Sequence, residues 1–158
     1  MPKEFSGEPK VSQSARFAII VSKYNLNITE NLKQGAVQAL LQAGVDDQQM
    51  EIFWVPGAWE ISFLADRLAR RKVYSAIICL GAVIRGETTH DQHINRQVSL
   101  SLGQIAMQHQ VPIQFGLLTC NSLEQAIHRS GGNVGNKGEE CAQAALEIVS
   151  LLERFPFD

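Results

Sequence analysis

Ala76-Ile77-Ile78-Cys79-Leu80-Gly81-Ala82-Val83-Ile84-Arg85-Gly86-Glu87-Thr88-Thr89-His90 is the stretch whose reading decides the fold. Its first five residues form an unbroken apolar run, as expected of a strand buried on both faces. Behind it Ile94, Val98, Leu102 and Ile105 recur near helical spacing. The segment from Gly81 to His90 therefore reads as the turn from a buried strand into a helix. Such turns stand at the carboxyl ends of parallel strands, where open α/β folds bind ligands. Glycines let backbone N–H groups approach an anion, and a helix start carries partial positive charge. His90 is the side-chain type that titrates near neutral pH without perturbation. Phosphate binding beside an acid–base group is the chemistry that this set of residues suggests.

The same alternation extends along the chain. Arg16–Ser22, Met50–Val55, Tyr74–Leu80 and Pro112–Thr119 read as strands. Asn27 with Glu30 resembles a capping box opening a helix that stops at Gly44. Further helices are expected over Trp59–Arg71, Asp91–His109, Leu123–Ser130 and Lys137–Arg154. Apolar strands joined by helices imply a parallel sheet covered on both faces, and right-handed crossovers make it a doubly wound α/β/α sandwich. The expected architecture is a three-layer, flavodoxin-like domain over residues 15–158 with a four-stranded parallel sheet. Residues 1–14 form an N-terminal arm whose polar composition favours disorder. A strand added to a neighbouring subunit is the other reading.

With 158 residues, one domain can bury roughly 70% of its unfolded surface. Hydrophobic content is 45%, formal net charge −2, pI near 6.1 and mean hydropathy −0.06. That balance fits a globular protein and argues against nucleic-acid binding through bulk positive charge. Cys79, Cys120 and Cys141 have no zinc-site spacing, and an odd count without a secretion signal implies reduced thiols in the cytoplasm. No apolar run reaches the length of a membrane span.

Four strand ends are expected on one rim, at Ser22–Asn25, Val55–Glu60, Gly81–His90 and Phe115–Asn121. Two familiar phosphate motifs fail there. Gly131–Gly138 resembles a Walker loop but lacks the Gly-Lys-Ser/Thr ending, and no G-x-G-x-x-G follows the first strand. His90, Asp91 and His93 make metal binding a minority reading against ordinary surface histidines. Thr88 or Thr89 also suits a helix cap, Glu60 suits a cap or a ligand contact, and Arg129 and Lys137 suit solvated helix ends.

Four motifs carry the argument further: VPGAWEI at 55–61, GAVIRGETTH at 81–90, FGLLTCNSLEQAIHRSGG at 115–132 and GNKGEECA at 135–142. In this order, over nearly the whole chain, they resemble the 6,7-dimethyl-8-ribityllumazine synthase family. The resemblance implies a transferase of riboflavin biosynthesis that acts without metal or organic cofactor. It would join 5-amino-6-(ribitylamino)uracil to 3,4-dihydroxy-2-butanone 4-phosphate, releasing the lumazine, phosphate and water. It implies a stacking role for Tyr24 with Asn25 beside it, and ribityl contacts from Ala58, Trp59 and Glu60. Backbone contacts to the pyrimidine fall to Ala82, Val83 and Ile84, and phosphate binding to Gly86, Glu87, Thr88 and Arg129. His90 is the proton-transfer residue, Phe115 closes over the ring, Lys137 approaches the pyrimidine, and Glu140 stands near the arginine. Phe115 and Arg129 come from the adjacent subunit, so the resemblance implies pentamers, in an icosahedral shell where the link at 131–136 is short. Riboflavin synthase is the further partner it implies. The family's acid two residues after the histidine is displaced here to Asp91, followed by Gln92. The competing reading is a non-catalytic flavin- or lumazine-binding, or shell-forming, protein on the same scaffold.

Overall fold

Phe17–Ser22 (β1) has no exposed residue, which requires a central place in a sheet covered on both faces. The computed structural model, which describes residues 1–132, 134–155 and 157, puts it there. Met50–Val55 (β2), Ala76–Ile84 (β3) and Ile113–Cys120 (β4) complete a parallel sheet of order β2-β1-β3-β4. Odd residues of β1, Phe17, Ile19 and Val21, face Leu26–Gln42 (α1) and Lys137–Arg154 (α5). Even residues, Ala18 and Ile20, face Ile61–Arg70 (α2) and His90–His109 (α3). The two-residue period of a strand thus fills two cores, and each large apolar side chain buried contributes about 1.5–3 kcal/mol. The expected three-layer α/β architecture is what the chain forms. Leu123–Arg129 (α4) and a small antiparallel hairpin, Ser130–Gly132 (β5) with Gly135–Asn136 (β6), join β4 to α5. Of the expected link at 131–136, Asn133 lies outside the described residues.

Three boundaries differ from the sequence reading, each for a local reason. The capping box at Asn27 and Glu30 does not form. α1 begins at Leu26, its cap is Asn25 in the left-handed region (φ 61°), and Glu30 pairs with Lys33 at 2.7 Å. Asparagine tolerates that conformation better than most residues, and its side chain donates elsewhere. β3 runs on to Ile84, because β4 pairs with it from Gly81↔Leu117 to Ile84↔Cys120. Gly81 is therefore a close-packing glycine within a strand: an added Cβ would lie 2.7 Å from Leu117 Cδ1 and 3.0 Å from Ser22 Oγ. Trp59 and Glu60 lie in a tight 3-10 turn, Ala58–Glu60, ahead of α2.

Residues 1–14 form no strand within the chain. The arm lies along α5, where Glu8 N–H donates to Ser150 Oγ (3.0 Å) and Ser12 N–H to Glu153 Oε1 (2.9 Å). Arg154 pairs with Glu8 at 3.0 Å, and the Phe5 ring meets Phe155 edge-on at 4.6 Å. Among the described residues no helix is long and apolar enough to cross a membrane, and no group of three His, Cys, Asp or Glu could hold a metal ion.

Candidate active site

A parallel sheet leaves the carboxyl ends of its strands on one rim, and here β1 and β2 turn away from β3 at that rim. Lys23 and Tyr24 donate backbone N–H groups to Val55 and Pro56. β1 therefore stops pairing with β3 at Leu80, while β3 continues along β4. Ile77 and Arg85 donate to carbonyls on the β4 side, so strand alternation directs the backbone of Ala82 and Ile84 to the opposite side. That opening is a cavity of about 470 Å³. Ala82, Val83 and Ile84 form one wall, and Ala58 with Trp59 the second. The turn residues Gly86 and Thr88 and the helix start at His90 form the third. Tyr24 and Trp59 are 74% and 58% exposed, so both offer rings to a flat ligand.

The hydrogen bonds assign local duties. Thr88 Oγ1 accepts from His90 N–H at 3.3 Å, a local turn contact just ahead of α3, whose cap residue is Thr89. His90 is exposed, and its ring makes no hydrogen bond among the described residues. Asn25 Nδ2 donates to the Ala82 carbonyl at 3.0 Å, fixing the end of β3. Glu60 Oε1 accepts from Gly57 N–H at 3.0 Å, so the carboxylate caps its own turn. Asn25, Glu60 and the exposed Glu87 do not line the cavity. Among the described residues no lysine or arginine lines it either.

The expected cations stand elsewhere. Arg129, Lys137, Glu140 and Phe115 line a second cavity of about 410 Å³, wrapped around the outer edge of β4. All four strand ends do share one rim, but the residues expected there with the end of β4 divide. β4 is an edge strand, Phe115 sits near its middle opposite Cys79, and the α4–α5 connection carries both cations to that edge. The two cavities share no lining residue.

Three buried thiols lie near these walls and none suits nucleophilic work. Burial pushes Cys141 up to about 11, against a lowering by Lys137 and with a raising by Glu140. Burial likewise raises Cys120, opposed by Arg129, and raises Cys79 further still. All three stay protonated thiols near neutral pH. Sequence reading passed over Asp91 and Ile94 as lining residues of the first cavity. Their signal was positional: both fall on the inward stripe of α3 that continues through Val98 and Leu102.

A model of the 6,7-dimethyl-8-ribityllumazine synthase family matches residues 14–153. Curated relatives include the 6,7-dimethyl-8-ribityllumazine synthases of Coxiella burnetii strains CbuG_Q212 and RSA 493 / Nine Mile phase I. Each is 48% identical over 140 residues, covering 89% of this chain and 93% of the relative.

Proposed function

The chain belongs to the 6,7-dimethyl-8-ribityllumazine synthase family, and we propose that its two cavities are complementary halves of one active site, completed between adjacent copies. The protein is a transferase of riboflavin biosynthesis. It condenses 5-amino-6-(ribitylamino)uracil with 3,4-dihydroxy-2-butanone 4-phosphate to give 6,7-dimethyl-8-ribityllumazine, phosphate and water. The observation that carries the shared site is the division of labour between the cavities. The His90 cavity has acid–base and stacking groups but no lysine or arginine lining, whereas the β4-edge cavity has the cations. A reaction that expels phosphate needs both.

In this reading Tyr24 stacks on the pyrimidine, and Phe115 of the adjacent copy closes over it. The backbone of Ala82 and Ile84 reads the pyrimidine edge, with Asn25 holding Ala82 in place, while the backbone of Val83 points to β4 and leaves it only a wall of the cavity. Ala58, Trp59 and Glu60 meet the ribityl chain. Glu60 keeps acceptor capacity for a hydroxyl beyond its bond to Gly57. Phosphate lies against Gly86, Glu87 and Thr88 at the start of α3, where N–H groups and the helix dipole favour an anion. Arg129 from the neighbour supplies the charge-assisted bonds, with Glu140 lining the same cavity. Lys137, also from the neighbour, approaches the pyrimidine. His90 moves the protons of imine formation, phosphate loss and ring closure. Side-by-side binding of both substrates supplies much of the acceleration.

A shared site needs a heterologous contact, which closes into a ring, and the family resemblance implies a ring of five. The short 131–136 link, which continues directly into α5, supports pentamers stacked in an icosahedral shell. Three buried free thiols support a reducing, cytoplasmic setting.

The test mixes two defective chains. His90→Ala and Arg129→Ala each spoil every site when alone. Randomly mixed in one assembly, about a quarter of the sites regain both residues from different chains. Lumazine fluorescence from the two substrates should recover to that level. Additive residual activity without recovery would refute the shared site. Sedimentation at the mass of one pentamer across pH and phosphate concentration would refute the shell.

A further inference from the structure

We infer that Asp91 is a substrate-binding residue whose Oδ1 accepts a hydrogen bond from an N–H or O–H of the amine-bearing substrate. This deepens the condensation reading and rests on it. Asp91 lines the His90 cavity from the first turn of α3. An acid there is ordinary on an exposed helix start, where it offsets the dipole. That role does not require a buried oxygen. Asp91 Oδ1 is nonetheless buried, and no donor within the described residues reaches it.

Four buried side-chain atoms lack a partner among the described residues, and the other three are Ser22 Oγ, Ser62 Oγ and Asn95 Oδ1. The serine hydroxyls can rotate and are weak demands. Asp91 alone among the four is ionisable, and it alone lines this cavity. A buried carboxylate oxygen without a donor is costly and calls for a donor that the described residues do not supply.

The chemistry of the ligand follows from sign. A carboxylate accepts and cannot donate, and it repels a phosphate dianion. It selects the substrate rich in N–H and O–H groups and directs the phosphate toward Gly86, Thr88 and Arg129. Asp91 would thereby orient the amine beside His90, which takes its proton. The displaced position of this acid, directly after the histidine, becomes a device for placing the aminouracil.

The experiment compares wild type, Asp91→Asn and Asn95→Ala by calorimetric titration with 5-amino-6-(ribitylamino)uracil, by steady-state kinetics with both substrates, and by thermal melting. Loss of one charge-assisted acceptor should weaken aminouracil binding by Asp91→Asn roughly ten- to a hundredfold. Its KM for the butanone phosphate and its Tm should match wild type. Unchanged aminouracil affinity would overturn the assignment. So would equal falls in Tm for Asp91→Asn and Asn95→Ala with affinity unchanged, which would mark a pair satisfied within the helix. The titration needs no turnover. Wild type that binds the aminouracil but forms no lumazine would sink the reaction reading while Asp91 is still judged by affinity.

Discussion

The cavity under the start of α3 and the cavity along the edge of β4 have similar volumes and opposite chemistry. The first has aromatic rings, the end of β3, and an exposed histidine at the head of a twenty-residue helix. The second has an arginine, a lysine and a glutamate backed by buried thiols. The difference arises from topology. β3 is interior and longer than β1, so its end opens a notch; β4 is at the edge, so its flank opens outward. In the proposed shared site, proton transfer and charge stabilisation come from different copies, so association is a condition of the chemistry.

The largest expected effect breaks the first region alone. His90→Ala should slow turnover about 10²–10⁴-fold, the usual worth of general acid–base help, with both substrates still bound. Single-turnover rates and a folded melting profile check this, and wild-type rates from pH 6 to 9 would refute the assignment. Arg129→Ala breaks the second region. It should raise KM for the butanone phosphate about ten- to a hundredfold, while a pyrimidine analogue binds normally. Equal loss for both ligands would make Arg129 structural.

Gly81→Ala strikes the seam between the regions. The added methyl presses on Leu117, which lines the second cavity, while the next residue, Ala82, lines the first. Overpacking of this kind costs about 1–3 kcal/mol, and KM should rise for both substrates together. Chemical denaturation and paired kinetics measure it; a change in one KM only would show that the seam does not couple the halves.

The smallest effect concerns the thiols behind the second region. Cys141 is raised to about 11 in the folded protein, above its ordinary value near 9, so folding favours the protonated form. Its contribution to stability is complete below the unfolded value and is lost as pH rises toward 11. Melting temperatures measured from pH 8 to 11 should fall across that window, and a thiol reagent at pH 8 should label the native protein only slowly.

Much of the fold was legible because its signals are local. β2 and α5 fall on the residues that periodicity assigns, since both are bounded by strong breaks in pattern. The start of α1 was not legible, because Asn25 is committed to Ala82, a contact 57 positions away. The end of β3 depends on pairing with β4, which no single strand announces. The motifs named the residues of the candidate site, yet strand order alone divides them between two cavities. Of the duties weighed for Glu60 and Thr88, the structure shows the local one, each accepting from a backbone N–H in a turn beside the cavity.

The arm that lies on α5 has a practical consequence. It ties Glu8 to Arg154 and Phe5 to Phe155, so residues far apart in sequence meet at the far end of that helix from Lys137. Eighteen helical residues span about 27 Å at 1.5 Å each. A dye, affinity tag or passenger peptide joined near residue 5 or residue 155 would sit about a helix length from the Lys137 pocket, and one linker bridging the two would recast the chain as a ring.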